Sequence, residues 1–200
     1  LNCVANGKIW RDASFDNVWV QPAAGDAGGA LGAALTAYHL FQGQPRETGQ
    51  GLDNMQGSYL GPAFETADTE QRLRAAGADF RVLDDDELVN ATAEALAAEK
   101  AVGWFQGRME FGPRALGGRS ILGDPRSPTM QKTLNLRVKY RESFRPFAPS
   151  VRREDVAEWF ELDGDSPYML MVADVIESRR RQMTEPENAL FGIDKLNVPR

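Results

Sequence analysis

Four arginines lie close together in residues 106–126, and the same stretch is rich in glycine and proline. They are Arg108, Arg114, Arg119 and Arg126. A guanidinium group offers a planar fork of donors that fits phosphate or carboxylate oxygens. Glycine lets the backbone adopt positive φ and approach a ligand closely. The segment is therefore predicted to bind an anion, and a solvated surface loop is the alternative.

Short apolar runs on both sides indicate how this segment is held. Ala101–Phe105 precedes it and predicts a buried strand, so the arginines follow a strand end, where α/β sheets bind ligands. Ser120–Leu122 predicts a second short strand. Ser127 begins a predicted helix that runs to about Lys139, with Pro128 in its first turn. The fold class predicted from these elements is α/β.

Charge is distributed unevenly along the chain. The net charge is −6, which argues against bulk nucleic-acid binding. Residues 106–153 nevertheless carry eleven basic against three acidic residues, a net +8, and the rest of the chain therefore carries −14. A basic island in an acidic protein suits a pocket for a small anion.

Composition excludes several classes of site. The single Cys3 excludes an internal disulfide and favours a reducing, cytoplasmic location. The single His39 excludes a local two-histidine metal motif, and no Ser–His–Asp or Cys–His arrangement for covalent catalysis is evident. No run of about 18 apolar residues predicts a membrane span.

Two long segments carry a family resemblance: GRMEFGPRALGGRSILGDPR and MQKTLNLRVKYRESFRPFAPSV. They resemble the carbamoyltransferase family, which includes nodulation and antibiotic-tailoring O-carbamoyltransferases, and the likeness extends over nearly the whole chain. It implies that residues 1–45 end an actin- and sugar-kinase-like transferase domain. Residues 46–58 would be a linker, and residues 59–200 most of a YrdC-like domain with a twisted open sheet. The chain is accordingly expected to be a fragment of a longer protein.

The resemblance also implies an activity. The YrdC-like domain would form carbamoyl-adenylate from carbamoyl phosphate and ATP, with Mg²⁺, and the transferase domain would pass the carbamoyl group to a hydroxyl of a small-molecule acceptor. No nucleic-acid or membrane partner is expected. Two alternatives are a threonylcarbamoyl-adenylate synthase, which shares the YrdC-like fold, and a non-catalytic module that binds RNA or another anion through the basic island.

Basic residues from three separate predicted elements are candidates for the chemistry. Arg114, Lys139 and Arg145 are predicted to clamp phosphate or carbamoyl phosphate, because a doubly charged anion needs several donors. Further candidates for substrate binding are Arg108, Arg119, Arg141 and Ser150. Arg108 and Arg119 have an alternative role, which is to hold the loop through backbone carbonyls. Glu110 and Glu142 are expected to orient arginines.

The N-terminal part offers a second set of candidates in QPAAGDAGGALGAAL, where a strand is predicted to run into a helix. Gly28 and Gly29 could approach a phosphate at the helix N-terminus or allow close helix packing. Asp26 could be a helix cap or a metal ligand. By resemblance, Gly28, Gly29 and Asn2 are nucleotide-binding residues. Asp26 would join two upstream histidines, absent from this chain, around a divalent metal such as Fe²⁺.

Other predicted elements frame these sites. Asn6-Gly7 is typical of a hairpin turn between strands. Asp84 to Asp86 is predicted to cap a helix that reaches Lys100. Further predicted strands are Ile9–Trp10, Val18–Val20, Phe80–Leu83 and Tyr168–Val175.

Overall fold

Helices and one small sheet make up the fold seen in the computed structural model, which describes residues 2–47, 53–196 and 198. The helices are α1 (Cys3–Arg11), α2 (Asp26–Thr36), α3 (Thr66–Ala75), α4 (Asp85–Ala97), α5 (Met130–Thr133), α6 (Val156–Trp159), α7 (Glu185–Ala189) and α8 (Ile193–Leu196). Wider π-helical turns continue α2 through Ala37–Phe41 and α5 through Leu134–Val138. Strands β1 (Val102–Phe105) and β2 (Arg119–Leu122) pair as a two-stranded sheet. The predicted α/β class is confirmed.

The chain divides into two compact units. The first comprises Leu1–Val82, Trp104–Ser120 and Ser166–Val172. The second comprises Leu83–Gly103, Ile121–Asp165 and Ala173–Arg200. Each unit thus combines segments that are far apart in sequence, and the boundaries predicted at residues 45 and 59 stay a prediction.

The core of the first unit is built around Tyr168, together with Met55 and Leu170. Val20, Leu31, Phe111 and Leu116 pack against it. The Tyr168 hydroxyl donates to the Asp53 carboxylate at 2.7 and 2.9 Å and accepts from the Gly57 amide at 3.1 Å. Burial and the bond to Asp53 raise the pKa of Tyr168 to about 12. Of the predicted linker 46–58, residues 48–52 lie outside the described part of the chain, while Met55 and Ser58 are buried.

The N-terminal hairpin prediction is wrong, because residues 3–11 form α1. The Asn2 side chain caps this helix by accepting from the Ala5 amide at 3.1 Å. Gly7 lies directly against Val172, and a Cβ on Gly7 would clash with the Val172 carbonyl oxygen. The Asn-Gly pair therefore serves close helix packing, and Asn6 Nδ2 donates to the Leu170 carbonyl at 2.8 Å.

Three other predicted strands are not strands in the structure. Val18–Val20 and Phe80–Leu83 pair with no neighbouring strand among the described residues, and Val20 instead packs side-on against the core. Within Tyr168–Val175 the backbone turns at Met169, whose φ is +54°, and such a left-handed residue interrupts an extended run. Val175 alone forms an isolated antiparallel bridge, with Phe160.

In the second unit the helix capped by Asp84 is confirmed, whereas the helix predicted from Ser127 begins at Met130, so Pro128 precedes its first turn. Asp84 accepts from the Glu87 amide at 2.8 Å, and the Glu87 carboxylate accepts from the Asp84 amide at 3.3 Å, so α4 begins with a capping box. Helix α5 and its π-turn cover most of the helix predicted from Ser127 to Lys139. Gly123 lies against the buried side chains of Met130 and Leu134.

Within the part of the chain that the structure describes, none of the helices is both long enough and apolar enough to cross a membrane.

Candidate anion-binding site

The loop between β1 and β2, residues 106–118, carries two of the predicted arginines. Its two ends are joined by the Gln106 amide, which donates to the Gly118 carbonyl at 2.9 Å. Both predicted strands are present, and they fix the start and the end of this loop. The predicted burial of the first is wrong, because β1 alternates between half-buried and exposed residues and Phe105 is exposed. The loop with the first residue of β2 is called the arginine loop below (residues 106–119).

Glu110 is the centre of the arginine loop. One carboxylate oxygen, Oε1, accepts hydrogen bonds from the backbone amides of Leu116, Gly118 and Arg119 at 2.8, 2.7 and 3.3 Å. Burial by itself raises the pKa of Glu110, but the bonds from these amides outweigh it and lower the pKa below its usual value. Glu110 bonds backbone amides and no arginine side chain among the described residues, so the expectation that it orients arginines stays a prediction.

Tyr59 holds the same loop from outside. Its hydroxyl donates to the Leu116 carbonyl at 2.9 Å, and its ring lies against Gly118, where a Cβ would be 3.1 Å from a ring carbon. Burial and the nearby Glu110 carboxylate raise the pKa of Tyr59. One residue earlier, the Ser58 carbonyl accepts from the Phe111 amide at 2.6 Å. The loop is therefore packed against residues 58 and 59.

Two of the arginines bind backbone carbonyls within the first unit. The Arg119 guanidinium donates to the carbonyls of Gln106, Gly107 and Gly118 at 2.6–3.0 Å. It also stacks on Phe105, with Cζ 3.3 Å from the ring centre. Arg108 donates to the Gly61 carbonyl at 2.8 Å. These bonds correspond to the loop-holding role, and a contact with substrate stays a prediction for both residues.

Arg114 differs from its neighbours. Its side chain is exposed, and it has no hydrogen bond or ion pair with any residue that the structure describes. It lines a small crevice with Phe111, Leu116, Tyr168 and three further residues of the same unit, namely Pro22, Ala23 and Pro113. Arg114 thus has a guanidinium without a described partner on a loop whose backbone is held by other residues.

In the second unit a buried amide, that of Asn135, bonds the segment that carries two of the basic candidates. Asn135 is fully buried, and its Nδ2 donates to the carbonyls of Ser143 and Arg145 at 3.0 and 2.8 Å. Arg141 Nε donates to Asn135 Oδ1 at 2.6 Å, and the guanidinium lies over the Phe147 ring, 4.8 Å from its centre. Asn135 is not singled out by the sequence pattern, although a polar residue between two leucines of an apolar helix is a usable signal.

The remaining candidates in this unit have different environments. Arg145 forms an ion pair with Glu142 at 2.9 Å, as expected of an arginine-orienting carboxylate. Lys139 is exposed and lacks a side-chain partner in the described ranges, and Ser150 is exposed. Because Arg114 belongs to the first unit and Lys139 and Arg145 to the second, a single clamp made of all three stays a prediction.

The N-terminal candidates have structural roles that the geometry makes explicit. A Cβ on Gly28 would lie 2.7 Å from the Ala23 carbonyl oxygen, so this glycine is required by packing, whereas the space beside Gly29 is open. Gly25 occupies the N-cap of α2 and Asp26 is its first residue, so Asp26 is not the cap. Asn2 caps α1, as described above. Nucleotide binding by Gly28, Gly29 and Asn2 stays a prediction.

Asp26 does not lie in a set of metal ligands. Among residues 2–47, 53–196 and 198 there is no group of three or more His, Cys, Asp or Glu side chains that could hold a metal ion. The divalent metal that the resemblance implies at Asp26 therefore stays a prediction, and no reaction step is assigned to it.

Comparison with known protein families gives two matches. The family described as carbamoyltransferase C-terminus matches residues 93–187, and the one described as carbamoyltransferase N-terminus matches residues 1–35. Together they account for well over half of the chain. The chain belongs to the carbamoyltransferase family.

Relatives of the carbamoyltransferase chain come from several bacteria. An uncharacterised protein of Synechocystis is 56% identical over all of this chain and 33% of its own length. A nodulation protein of Sinorhizobium fredii, NolNO, is 46% identical over 90% of the chain and 26% of its own length. The 3′-hydroxymethylcephem-O-carbamoyltransferase of Amycolatopsis lactamdurans is 37% identical over 89% of the chain and 31% of its own length. The chain thus spans about a third or less of these relatives.

Proposed function

We propose that this chain is part of an O-carbamoyltransferase, which moves a carbamoyl group from carbamoyl phosphate to a hydroxyl group of a small molecule. Membership of the carbamoyltransferase family supports the reaction class. The name of the cephem relative, which states an O-carbamoyl transfer, supports a hydroxyl acceptor.

The observation that carries the proposal is that the Arg114 side chain has no partner among the described residues, while hydrogen bonds hold the loop that bears it. In the arginine loop, Arg108 and Arg119 donate to backbone carbonyls, whereas Arg114 has no partner among the described residues. Because the backbone beneath Arg114 is already ordered, only the freedom of its side chain is lost when the guanidinium binds an anion. The phosphate of carbamoyl phosphate is an anion that it could bind through two parallel bonds.

The second unit would supply further positive charge. The Lys139 side chain has no partner in the described chain, and Arg145 forms an ion pair with one exposed carboxylate, that of Glu142. We infer that Arg114, Lys139 and Arg145 neutralise carbamoyl phosphate and ATP, which are both polyanions and repel each other. Arg141 keeps its loop in place through Asn135 and would act on substrate only secondarily.

The proposed chemistry proceeds through carbamoyl-adenylate. Water cleaves carbamoyl phosphate to carbamate and inorganic phosphate, and a carbamate oxygen then attacks the α-phosphorus of ATP. The new P–O bond replaces the bond to pyrophosphate, which leaves. The acceptor hydroxyl attacks the carbamoyl carbon, AMP leaves, and the hydroxyl proton is released. The protein's part in the first two steps is to align the anions and neutralise their charge.

In this proposal residues 1–45 are the C-terminal part of the transferase domain, and residues 59–200 are most of the YrdC-like domain that activates carbamate. The separate family matches at residues 1–35 and 93–187 support such a division. ATP would bind with Mg²⁺, the usual counter-ion of its phosphates.

The test is exchange of labelled pyrophosphate into ATP by the complete protein, with and without carbamoyl phosphate. Exchange that requires carbamoyl phosphate is expected, and Arg114→Ala should reduce it by about 100-fold, as for the loss of one donor to a developing charge. Arg72→Ala is the matched control, because Arg72 pairs with Asp68 on the exposed side of α3 in the same unit. No exchange in the wild type, or equal exchange in Arg114→Ala, would contradict the proposal.

A further inference from the structure

We propose that Glu110 is a positioning residue, which presents Arg114 to the anion by collecting the amides of the arginine loop. This inference rests on the proposed function, and it assigns to the carboxylate a role that does not involve touching the substrate. The proposal depends on three contacts of Glu110 and on the way in which the loop is anchored on either side of Arg114.

The contacts of Glu110 join the first half of the arginine loop to its C-terminal end. Its Oε1 accepts from the amides of Leu116, Gly118 and Arg119, three donors from four consecutive positions. Successive amides that point at one spot form a concave anion-binding nest. Here the nest is filled by a carboxylate of the same chain, six to nine residues away, so the loop backbone is ordered without a ligand.

Arg114 lies between two anchored points. On its N-terminal side the Phe111 amide is bonded to the Ser58 carbonyl at 2.6 Å. On its C-terminal side Leu116 is held twice, through its amide by Glu110 and through its carbonyl by Tyr59. Only four residues, from Gly112 to Ala115, separate these anchors.

The short span between the anchors is itself restricted. Gly112 has φ +103°, and a Cβ there would lie 2.5 Å from the Ala23 side chain, so this turn is closely packed and requires glycine. Pro113 fixes its own φ near −65°. The backbone that bears Arg114 therefore has few alternative conformations. Of the side chains that hold it, Glu110 bonds three loop amides, whereas Tyr59 bonds one loop carbonyl.

An acid or base role does not fit Glu110. Its Oε1 already accepts from three amides, and those bonds lower its pKa, so the group stays an anion at neutral pH. A general acid or base must exchange its proton near the working pH. What remains for Glu110 is to hold the loop.

A double-mutant cycle in the complete protein tests this role. The cycle combines Glu110→Ala with Arg114→Lys, a variant that keeps a charge and residual activity, and measures KM and kcat in carbamoyl-phosphate-dependent pyrophosphate exchange. Glu110→Ala alone should raise KM for carbamoyl phosphate about tenfold, because the backbone beneath Arg114 must then be ordered at the moment of binding. KM for ATP and kcat should change much less.

The interaction between the two sites is the decisive readout. If Glu110 acts through Arg114, then Glu110→Ala should add less than about twofold to KM in the Arg114→Lys background, since coupled residues are not additive. Glu110→Gln should restore most of the affinity, because the amide keeps an acceptor oxygen. Glu70→Ala is the matched control: Glu70 accepts from the Arg74 side chain on α3 and should leave the kinetics unchanged.

The outcomes separate this inference from the proposed function. Full tenfold effects that multiply in the double variant would overturn the positioning role while leaving the carbamoyltransferase intact. A wild type without carbamoyl-phosphate-dependent exchange would overturn the proposed function, and the inference with it. Urea midpoints identify variants that have lost their fold. If Glu110→Ala has, the cycle is run with Glu110→Asp, whose shorter side chain cannot reach all three amides and should give the same non-additive rise in KM.

Discussion

The arginine loop of the first unit and residues 130–147 of the second are each organised by one polar side chain that bonds backbone groups. These backbone groups are donors in the first region and acceptors in the second. In the arginine loop a carboxylate, Glu110, gathers backbone N–H groups. In residues 130–147 a neutral amide, Asn135, gathers carbonyl groups and is itself bonded by Arg141. In both regions a polar side chain satisfies backbone groups that no strand or helix satisfies.

The hydrogen bonds around these two side chains, called the Asn135 frame and the Glu110 frame below, differ in how deeply they are buried. Asn135 is completely buried, so losing it would leave carbonyls without donors in a water-free place. Glu110 is only partly buried, so water can replace it at some of its amides. We therefore expect the Asn135 frame to matter more for stability and the Glu110 frame more for the order of the backbone beneath Arg114.

The largest expected effect on stability is that of Asn135→Ala. The substitution removes both donors to the Ser143 and Arg145 carbonyls and the acceptor of Arg141, and buried groups without partners cost about 3 kcal/mol in total. Urea unfolding of the chain measures this loss. Asn90→Ala, on the exposed side of α4 in the same unit, is the control and should leave the free energy of unfolding unchanged. An equal effect of the two variants would contradict the buried frame.

A smaller effect is expected from Arg119→Lys in the arginine loop. Lysine keeps the charge but loses the planar fork that bonds three carbonyls and the stacking on Phe105, so unfolding should cost about 1–2 kcal/mol less. Thermal or urea unfolding measures the change, and Arg72→Lys, which alters only an exposed ion pair on α3, serves as comparison. A destabilisation as large as that of Asn135→Ala would remove the contrast between the two frames.

The smallest effect is expected from Glu142→Ala. Its own backbone amide and the neighbouring Arg145 lower the pKa of Glu142, so the contribution of this pair is present above the usual glutamate pKa and is lost as the pH falls through the lowered value. Because both side chains are about half exposed, the urea midpoint at neutral pH should stay within experimental error. A clear loss at pH 7 that disappears in acid would show that this pair belongs to the structural frame.

Sequence patterns were most informative where the signal is local. The strands around the arginine loop and the acidic cap of α4 depend on neighbouring residues, and the structure confirms them. The prediction of an N-terminal hairpin was wrong, because the glycine of Asn6-Gly7 is needed instead where α1 packs directly on Val172. The contacts of Glu110 could not be predicted from residue type, because its partners are backbone amides, whose direction is set by the path of the loop.

The amino-acid sequence by itself determined the family, the α/β class and the crowding of arginines between two short strands, since these are properties of residue type and order. Tertiary structure alone decided how those arginines are used. Arg108 and Arg119 bind carbonyls, while Arg114 stays without a partner in the described chain. The physical reason is that a guanidinium bonds whichever oxygens the folded backbone places within reach, and those positions exist only after distant segments such as residues 58–61 have packed against the loop.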